Sequence, residues 1–510
     1  MELFIAYDDY MQAHRTKQAA LFHAMRDAVL NGSLEPHTKL PSTRQLADQF
    51  ELSRGTVNAV YDMLLSQGYI YAIAGSGTFV GDTQQLSLKA SDEHRIEARL
   101  SDWGRRIQGL ALQGSASVRT IPDADKAKAG SYSVSGKRHT IEFSLGKVEL
   151  AHFPMKEWNR HLYEQAREQY QHELRDAYSS DGHDELKQAI ARQVRKERGI
   201  VADADDIMIV NGSQQAIALL AQLLLNQGDY AAIEDPHYVG ARNALLSVGA
   251  RLDAFPVDEQ GICFRPQHEG YKLLLLTPSR QFPTGVVLSM ERRLQLLQWA
   301  QQHNSYIIED DYDSEFRHVG RAIEPMKSLD QAGRVIYVGT FSRTMLQDLR
   351  IGYAILPQEL KEPFRYAKMV YERHPSSIIQ QRALAAFMNT GQYDRHLRRL
   401  KRLYRRRAEL MQQLLAQRLQ GVLAPYPSQA GLHIYAVWQG DEQQFGRFLQ
   451  ACADQAVYVV DARKYQLMHK EPALCLGYAH LNEQDIEEGI VRLQRAWEAV
   501  QADAAQNRRI

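Results

Sequence analysis

The sequence predicts an α/β protein of two or three domains, the largest of which is built on a mostly parallel β-sheet. From about residue 139 onward, apolar runs of strand length alternate with helical segments, and parallel strands need such helical connections. The predicted strands are Ile207–Val210, Ala231–Glu234, Leu273–Thr277, Ile307–Asp310 and Val335–Gly339. The chain of 510 residues exceeds the size of one ordinary domain. We predict an N-terminal domain at 1–83, a polar linker at 84–138 whose middle holds a helix near 92–112, and a large domain at 139–510.

The bulk composition excludes several classes of protein. Lysine plus arginine and aspartate plus glutamate both total 61, so any contact with nucleic acid must come from local geometry. The three cysteines, Cys263, Cys452 and Cys475, form no CxxC pair, which argues against disulfides and zinc. No signal-peptide pattern is present, and the apolar runs fall short of the roughly 18 residues that span a bilayer. We therefore expect a soluble, cytoplasmic protein without a metal site.

Residues 1–83 carry the signals of a helix-turn-helix. Apolar residues at helical spacing run from Leu21 to Leu30. The segment Pro41–Ala47 starts a second helix with Ser42 or Thr43 as its cap, and Ser53 caps a third helix that runs to about Gln67. In a helix-turn-helix the second of the paired helices offers its first residues to base edges of DNA. The residues in that place here are Arg54, Gly55, Thr56 and Asn58.

A hairpin follows the third helix. The segments Gly68–Ile73 and Thr78–Val80 flank the turn Ala74-Gly75-Ser76-Gly77, so that the pair forms the wing of a winged helix.

From Leu21 to Val80 the chain resembles the GntR family of bacterial regulators. The resemblance is carried by Leu40-Pro41-Ser42-x-Arg44-x-Leu46-Ala47, Ser53-Arg54-x-Thr56-Val57, Gly68-Tyr69-Ile70 and Gly75-Ser76-Gly77-Thr78-Phe79-Val80. It implies binding to a double-stranded DNA operator through two arginines, two hydroxyls and the glycines of the wing. Together with the start of the third helix, the predicted DNA-binding residues are Arg44, Ser53, Arg54, Gly55, Thr56, Asn58, Gly75, Ser76 and Gly77.

The charge of this domain qualifies that prediction. Residues 1–83 hold six Lys/Arg against nine Asp/Glu, a net charge of −3. Because neutralisation of phosphates drives affinity for DNA, one copy should bind weakly. Two linked copies on a two-part site would bind more tightly, which favours a homodimer. The alternative is a winged helix that contacts protein.

Polar residues follow the predicted strands of the large domain at their carboxyl ends, where open α/β sheets bind ligands. The turn Asn211–Ala216 opens a helix whose backbone N–H groups can hold a phosphate. Tyr238 has a ring that can stack on another ring, and Asp310 ends a strand where its carboxylate can hold a protonated ring nitrogen. Such donors are three of the four requirements of a pyridoxal phosphate site, the fourth being a lysine. Each residue alone also fits a structural role as a helix cap, a half-buried aromatic or a turn former.

The whole arrangement resembles the MocR subgroup of GntR regulators, in which a winged helix is fused to a fold-type-I aminotransferase-like domain. The likeness is carried by Phe153-Pro154-x-x-x-Trp158, Gly212-Ser213-Gln214-Gln215-Ala216, Glu234-Asp235-Pro236-x-Tyr238, Thr277-Pro278-Ser279-x-Gln281-Phe282-Pro283-Thr284-Gly285, Glu309-Asp310-Asp311-Tyr312, Gly339-Thr340-Phe341-Ser342 and Leu349-Arg350-Ile351-Gly352-Tyr353. It implies a PLP-dependent transferase-like fold with a small C-terminal α+β subdomain. It also implies a homodimer and a small-molecule effector.

The same resemblance assigns roles in binding pyridoxal phosphate. The residues implied to hold the phosphate are Ser213, Gln214, Thr340, Ser342 and Arg350. Asp310 would pair with the pyridine nitrogen, Tyr312 with the ring hydroxyl, and Tyr238 would stack on the ring.

One position breaks the family pattern. The cofactor lysine of the family directly follows Thr-Phe-Ser, and Arg343 stands there in this chain. A guanidinium stays charged and delocalised in proteins, so it cannot form the Schiff base or move the proton that transamination needs. We therefore predict no transaminase activity, and pyridoxal phosphate held without a covalent bond or not at all. Arg343 either clamps an anion or pairs with Asp310 and fills the pocket, unless another lysine reaches in.

Other departures from the family pattern also argue against transaminase activity. Arg280 stands where the subgroup usually has histidine, His237 where it often has glycine, and Cys475 near the place of a substrate-binding arginine.

A basic helix lies nearer the C-terminus. Its cations are Arg395, Arg398, Arg399, Lys401, Arg402, Arg405, Arg406 and Arg407. A solvated or dimer-lining helix is the simpler interpretation, and a second DNA contact is the alternative. We predict a ligand-responsive DNA-binding regulator. The rival hypotheses are an aminotransferase with a DNA-binding arm and a DNA-binding scaffold with an inactive pocket.

Overall fold

A computed structural model describes residues 3–82, 100–116, 139–172, 180–318, 323–428 and 430–507. The chain divides into two compact units, Met1–Arg99 and Leu100–Ile510. Within these described ranges, no helix has both the length and the apolar character needed to cross a membrane.

The first unit consists of four helices and a hairpin. Its elements are α1 (Tyr7–Ala13), α2 (Lys17–Leu30), α3 (Thr43–Gln49), α4 (Arg54–Ser66), β1 (Ile70–Ile73) and β2 (Gly77–Val80). The core lies between α2, α3, α4 and the hairpin, where Leu21, Met25, Leu46, Val57 and Leu64 are fully buried. Buried positions on α4 recur every three or four residues, which is the spacing of one helix face. The predicted helix-turn-helix and wing are confirmed.

Side-chain caps fix the ends of the two paired helices. Ser42 and Gln45 form a capping box at the start of α3, which settles the choice between Ser42 and Thr43. The Ser53 hydroxyl accepts from the Thr56 amide at 3.1 Å and caps α4.

The second unit begins with elements that lead into a large sheet. These are α5 (Asp102–Ala116), β3 (Ile141–Glu142), α6 (Met155–His172), α7 (Asp184–Arg198), β4 (Ile207–Val210), α8 (Ser213–Leu224), β5 (Tyr230–Asp235), α9 (Val239–Ser247), β6 (Arg251–Asp258), β7 (Gly261–Ile262), β8 (Tyr271–Leu276), α10 (Met290–Gln302), β9 (Tyr306–Asp311), α11 (Met326–Leu329), β10 (Val335–Thr340) and β11 (Gly352–Ile355). The eight strands of the sheet lie in the order β4-β11-β10-β9-β8-β5-β6-β7.

The centre of this sheet is parallel and its ends are mixed. Pairings among β6, β5, β8, β9 and β10 are parallel, whereas β11 is antiparallel to both β10 and β4. The central strands are buried almost throughout, as expected when helices cover both faces. The carboxyl ends of the parallel strands therefore meet at one edge.

The chain then builds a smaller subdomain. Two helices lead to it, α12 (Lys361–Tyr371), which packs on α8, and α13 (Ile378–Asn389), which packs on α6 and α7. The elements of the subdomain are α14 (Gln392–Arg418), β12 (Leu423–Pro425), β13 (His433–Trp438), α15 (Glu442–Asp454), β14 (Val457–Tyr458), β15 (Val460–Asp461), β16 (Ala473–Gly477) and α16 (Glu483–Asn507). Strands β12, β13, β16 and β15 form an antiparallel sheet, packed with α14, α15 and α16 around a core of its own. The predicted α/β class and the small α+β subdomain are confirmed.

A helix lies in the segment that the sequence predicts as linker. Helix α5 packs on α9, and Arg106 Nε donates to the Ser247 carbonyl at 3.0 Å. The first part of the predicted linker helix, 92–99, lies outside the described residues.

Candidate cofactor pocket and DNA-binding surface

A cavity of about 260 Å³ lies in the second unit at the carboxyl ends of β4, β8, β9 and β10. Its walls are formed by Leu145, Gly146, Gly212, Ser213, Gln214, Tyr238, Thr277, Phe282, Asp310, Tyr312, Thr340, Ser342, Arg343, Gln347, Arg350 and Tyr465. All nine residues predicted to bind the cofactor are in this wall. The structure therefore brings the predicted set together around one space.

One end of the cavity has the donors that a phosphate needs. Gly212 has a φ of +77°, a conformation that favours glycine, and Ser213 begins the twelve-residue helix α8. A Cβ on Gly212 would lie 3.0 Å from Arg350 Nη2, which donates to the Asn211 carbonyl at 3.4 Å. The amide end of a helix with an adjacent guanidinium is a favourable site for an anion.

Two hydroxyls extend this anion site from the end of β10. The Thr340 hydroxyl donates to Ser342 Oγ at 3.0 Å and accepts from the Ser342 amide at 3.1 Å. The β10 end thereby adds short polar groups to the same wall.

Asp310 provides a buried carboxylate to the cavity. It is 5% exposed, and its Oδ1 has no hydrogen-bond partner among the described residues. Burial raises the pKa of Asp310 to about 7, and the charge of Asp311 adds to this while the charge of Arg343 opposes it. An unpartnered buried acceptor is costly unless a donor comes to it. A protonated ring nitrogen is a donor of the required kind.

The neighbours of Asp310 fix the end of β9. The Tyr337 hydroxyl donates to Asp311 Oδ2 at 2.6 Å, and Arg198 Nε lies 3.3 Å from the same oxygen. Both Arg198 and Asp311 are buried, so this contact is held inside the protein. It leaves Asp310 as the carboxylate of this strand end that faces the cavity.

Arg280 supports the next part of the wall. Its Nη1 donates to the Tyr312 hydroxyl at 2.6 Å and to Asp313 Oδ2 at 2.9 Å. Its other nitrogens donate to the carbonyls of Ala430 and His433. Arg280, noted from sequence only as a departure from the subgroup, thus positions the predicted partner of the ring hydroxyl.

Aromatic side chains form a further part of the wall. Tyr238, 38% exposed, contacts Phe282 with ring centroids 5.9 Å apart. Phe282 in turn contacts Tyr312 and Tyr465 edge to face. Tyr238 is therefore packed against Phe282 and remains partly exposed.

Arg343 lines the cavity without an ion pair. Its Nη1 donates to the Gly146 carbonyl, and a Cβ on Gly146 would meet the same guanidinium. Within the described residues no carboxylate oxygen, including those of Asp310, lies within 4.0 Å of Arg343.

Several wall residues escaped prediction because distant segments supply them. Leu145 and Gly146 follow β3, Gln347 lies between β10 and β11, and Tyr465 comes from the small subdomain. No local motif marks them, although the glycine at 146 has a φ of +92°.

The predicted DNA-binding residues are gathered on the first unit in two places. Ser53, Arg54, Gly55 and Asn58 are exposed at the start of α4, and Thr56 is half-buried, its hydroxyl 2.8 Å from Ser53 Oγ. Arg44 is exposed in the first turn of α3. The second place is the exposed turn of the hairpin, with Gly75, Ser76 and Gly77.

Two protein families match the chain. The family described as "Aminotransferase class I and II" matches residues 139–493, and "Bacterial regulatory proteins, gntR family" matches residues 17–80. The "Probable rhizopine catabolism regulatory protein MocR" of Rhizobium meliloti is 34% identical, covering 95% of this chain and 94% of that protein. The "HTH-type transcriptional regulator TauR" of Rhodobacter capsulatus is 32% identical, covering 77% and 79%.

Solved structures agree on the fold of the larger unit. The multiple substrate aminotransferase of Thermococcus profundus matches with a TM-score of 0.67 and 23% identity, covering 79% of this chain and 98% of that one. At this identity the likeness concerns the fold alone. With the matches over both units, the chain belongs to the MocR-type GntR regulators, transcriptional regulators that join a helix-turn-helix to an aminotransferase-like domain.

Proposed function

We propose that this regulator binds pyridoxal phosphate, or a related phosphorylated anion, without a covalent bond, and that occupancy of the pocket changes its affinity for operator DNA. The observation that carries the proposal is the state of Asp310 and Arg343. Both lie in the wall of one cavity, yet they make no ion pair with each other. Of the two hypotheses for Arg343, this geometry favours the anion clamp over the filled pocket.

The residues present fit the cofactor at both ends. When bound, pyridoxal phosphate supplies an electron-withdrawing ring and an aldehyde. We assign the phosphate to Ser213, Gln214, Thr340, Ser342 and Arg350, the ring nitrogen to Asp310, the ring hydroxyl to Tyr312 and the ring face to Tyr238.

The wall of the cavity also supports the absence of transaminase chemistry. Among its described residues there is no lysine, and Arg343 stands where the family places one. The guanidinium has no free amine with which to attack an aldehyde. We therefore assign Arg343 to holding charge at this point and not to reaction.

The DNA-binding half of the proposal rests on the first unit. We assign base and phosphate contacts to the start of α4, to Arg44 and to the hairpin turn, and we propose that two chains act as a homodimer on a two-part operator. A ligand changes DNA affinity only if it favours one arrangement of the protein over another.

Calorimetric titration of the full-length protein with pyridoxal phosphate tests the pocket. We expect saturable binding of one ligand per chain. Arg350→Gln should weaken binding at least about tenfold, because a hydrogen bond to a charged group contributes about 1.5–3 kcal/mol. The matched control is Arg105→Gln, an exposed arginine of α5 outside the pocket, which should leave binding unchanged. Absence of saturable heat, or equal loss in both variants, contradicts the proposal.

A further inference from the structure

Helix α14 carries a row of arginines that have no ion pair. Arg395, Arg398, Arg399 and Arg402 are all exposed. Their spacing of three, one and three residues places them on one face of a helix. None of the four makes a salt bridge within the part of the chain that the structure describes. We call these four residues the arginine ridge.

The other four cations of the basic helix predicted from the sequence each have a carboxylate partner. The pairs are Lys401–Glu197 at 3.3 Å, Arg405–Glu409 at 2.9 Å, Arg406–Glu483 at 2.6 Å and Arg407–Glu149 at 2.5 Å. Arg407 is buried and also donates to the Ala479 carbonyl, so it is an internal structural residue and no part of a surface. The basic helix predicted from the sequence is therefore divided between neutralised cations and the ridge.

The ridge has an energetic cost in the free protein. Like charges three and four residues apart on a helix repel and destabilise the helix. Over the chain as a whole, acidic and basic residues are equal in number, yet the ridge has no carboxylate partner among the residues that the structure describes. At about 1.5 Å of rise per residue, the four guanidinium groups extend over roughly 10 Å of the helix. A partner that carries closely spaced negative charge would relieve this repulsion.

Double-stranded DNA is the polyanion that fits. It carries one negative charge per about 1.7 Å of axis, and arginine matches phosphate with two parallel hydrogen bonds. The regulator binds DNA through a domain of net charge −3 over residues 1–83, which is a poor source of phosphate neutralisation. We propose that the arginine ridge of α14 binds the DNA backbone and supplies sequence-independent affinity in addition to the helix-turn-helix.

The test compares the salt dependence of DNA binding for two variants of the full-length protein. The ridge variant is Arg395→Gln/Arg398→Gln/Arg399→Gln/Arg402→Gln. The control variant, Lys401→Gln/Arg405→Gln/Arg406→Gln/Arg418→Gln, removes the same formal charge from the same helix. Three of its cations have carboxylate partners, and Arg418, outside the ridge, donates to Gln494 Oε1 at 2.9 Å. The probe is a labelled random-sequence duplex of about 60 base pairs, with binding measured between about 50 and 300 mM salt.

The ridge variant should lose phosphate contacts that the control retains. The slope of log K against log salt is negative, and each lost contact reduces its magnitude by about 0.9. We therefore expect the magnitude of the slope to decrease by about 2 to 4 per bound chain in the ridge variant. In the control variant the magnitude of the slope should decrease by less than about 1. Equal slopes in the two variants overturn the proposal.

Two further measurements distinguish a loss of DNA contacts from a change in assembly or folding. Sedimentation of the ridge variant should show the subunit number of the natural protein, and a change would mean that the ridge lines a subunit interface, which overturns the proposal. The milder variant Arg398→Gln/Arg402→Gln should give about half the effect on the slope, independent of any folding defect in the fourfold variant.

Discussion

At the scale of single residues, Asp310 combines a structural cost with a proposed role in binding. The folded protein holds its carboxyl in a buried wall with one oxygen unpartnered. The pKa of Asp310 is raised by burial to about 7, against an ordinary value of 3.8. Between these values the folded state keeps a proton that the unfolded chain releases. The stability contributed by Asp310 is therefore complete below about pH 4 and is lost as the pH rises through about 7.

Asp310→Asn should separate stability from binding. Because asparagine cannot ionise, the variant should unfold at a temperature at least about 2 °C above the natural protein at about pH 8, with no gain near pH 4. It should bind pyridoxal phosphate at least about tenfold more weakly, since it cannot pair as an anion with a protonated ring. Thermal scans at both pH values and calorimetry measure the two effects. The exposed carboxylate variant Asp454→Asn serves as control. A stabilised variant with undiminished binding would remove Asp310 from the site.

Arg280 has some contacts that are near in sequence and others that are distant. Its identity as a departure from the subgroup was visible in the sequence. Its partners Tyr312 and Asp313 follow in the same strand-end segment, but the carbonyls of Ala430 and His433 come from about 150 residues away. No local sequence pattern predicts contacts between residues so far apart in the chain.

Arg280→Ala should destabilise the larger unit strongly. It leaves the Asp313 carboxylate buried without its cation, and removal of one member of a buried pair costs about 3–5 kcal/mol. The free energy of unfolding in urea measures this loss. In the double variant Arg280→Leu/Asp313→Leu much of the stability should return, because no uncompensated charge remains. A double variant as unstable as Arg280→Ala would mean that the pair matters for packing and not for charge.

At the scale of elements, the apolar central strands were the predictable part of the fold. The bounds of β4 agree with the prediction, and those of β5, β8, β9 and β10 differ from it by two residues or fewer. Strands buried on both faces read as continuous apolar runs, which is the clearest strand signal. Strand β11 escaped prediction because it begins with a glycine and lies antiparallel between two strands from different parts of the chain.

The capping box of α3 provides an element-scale test. Ser42→Ala removes the acceptor for the Gln45 amide and should cost about 1 kcal/mol of helix stability. Amide hydrogen exchange of α3 in the full-length protein should accelerate by about fivefold, as expected for that free energy. Ser289→Ala, which removes the cap of α10, is the matched control and should leave exchange in α3 unchanged. Unchanged exchange in Ser42→Ala would show that packing, not the cap, holds the helix.

At the scale of the whole molecule, the site was predictable because strand ends meet at one edge. Residues at the carboxyl ends of β4, β8, β9 and β10, far apart in sequence, line one cavity for that reason. The position of Arg343 within the wall was predicted by resemblance, but its hydrogen bond to Gly146 depends on the path of the chain after β3. The proposed function requires that occupancy of the pocket changes the affinity of the protein for DNA.

Such coupling predicts a measurable response of DNA binding. Genomic fragments retained by the full-length protein should bind with an affinity that changes at least about fivefold when pyridoxal phosphate is present, the lower end of typical allosteric coupling. Arg350→Gln should show a smaller change at the same ligand concentration, because its pocket is less occupied. Equal affinity with and without ligand would support the alternative of a DNA-binding scaffold with an inactive pocket.

The central claim is that Arg343 prevents a covalent bond to pyridoxal phosphate. Its most direct test is the intact mass of the protein after incubation with pyridoxal phosphate and reduction with borohydride. The natural chain should keep the mass of its polypeptide, because Arg343 offers no amine to the aldehyde. Arg343→Lys should gain one pyridoxyl phosphate group per chain, mapped to residue 343 by peptide analysis. A stoichiometric group on any lysine of the natural chain would contradict the account.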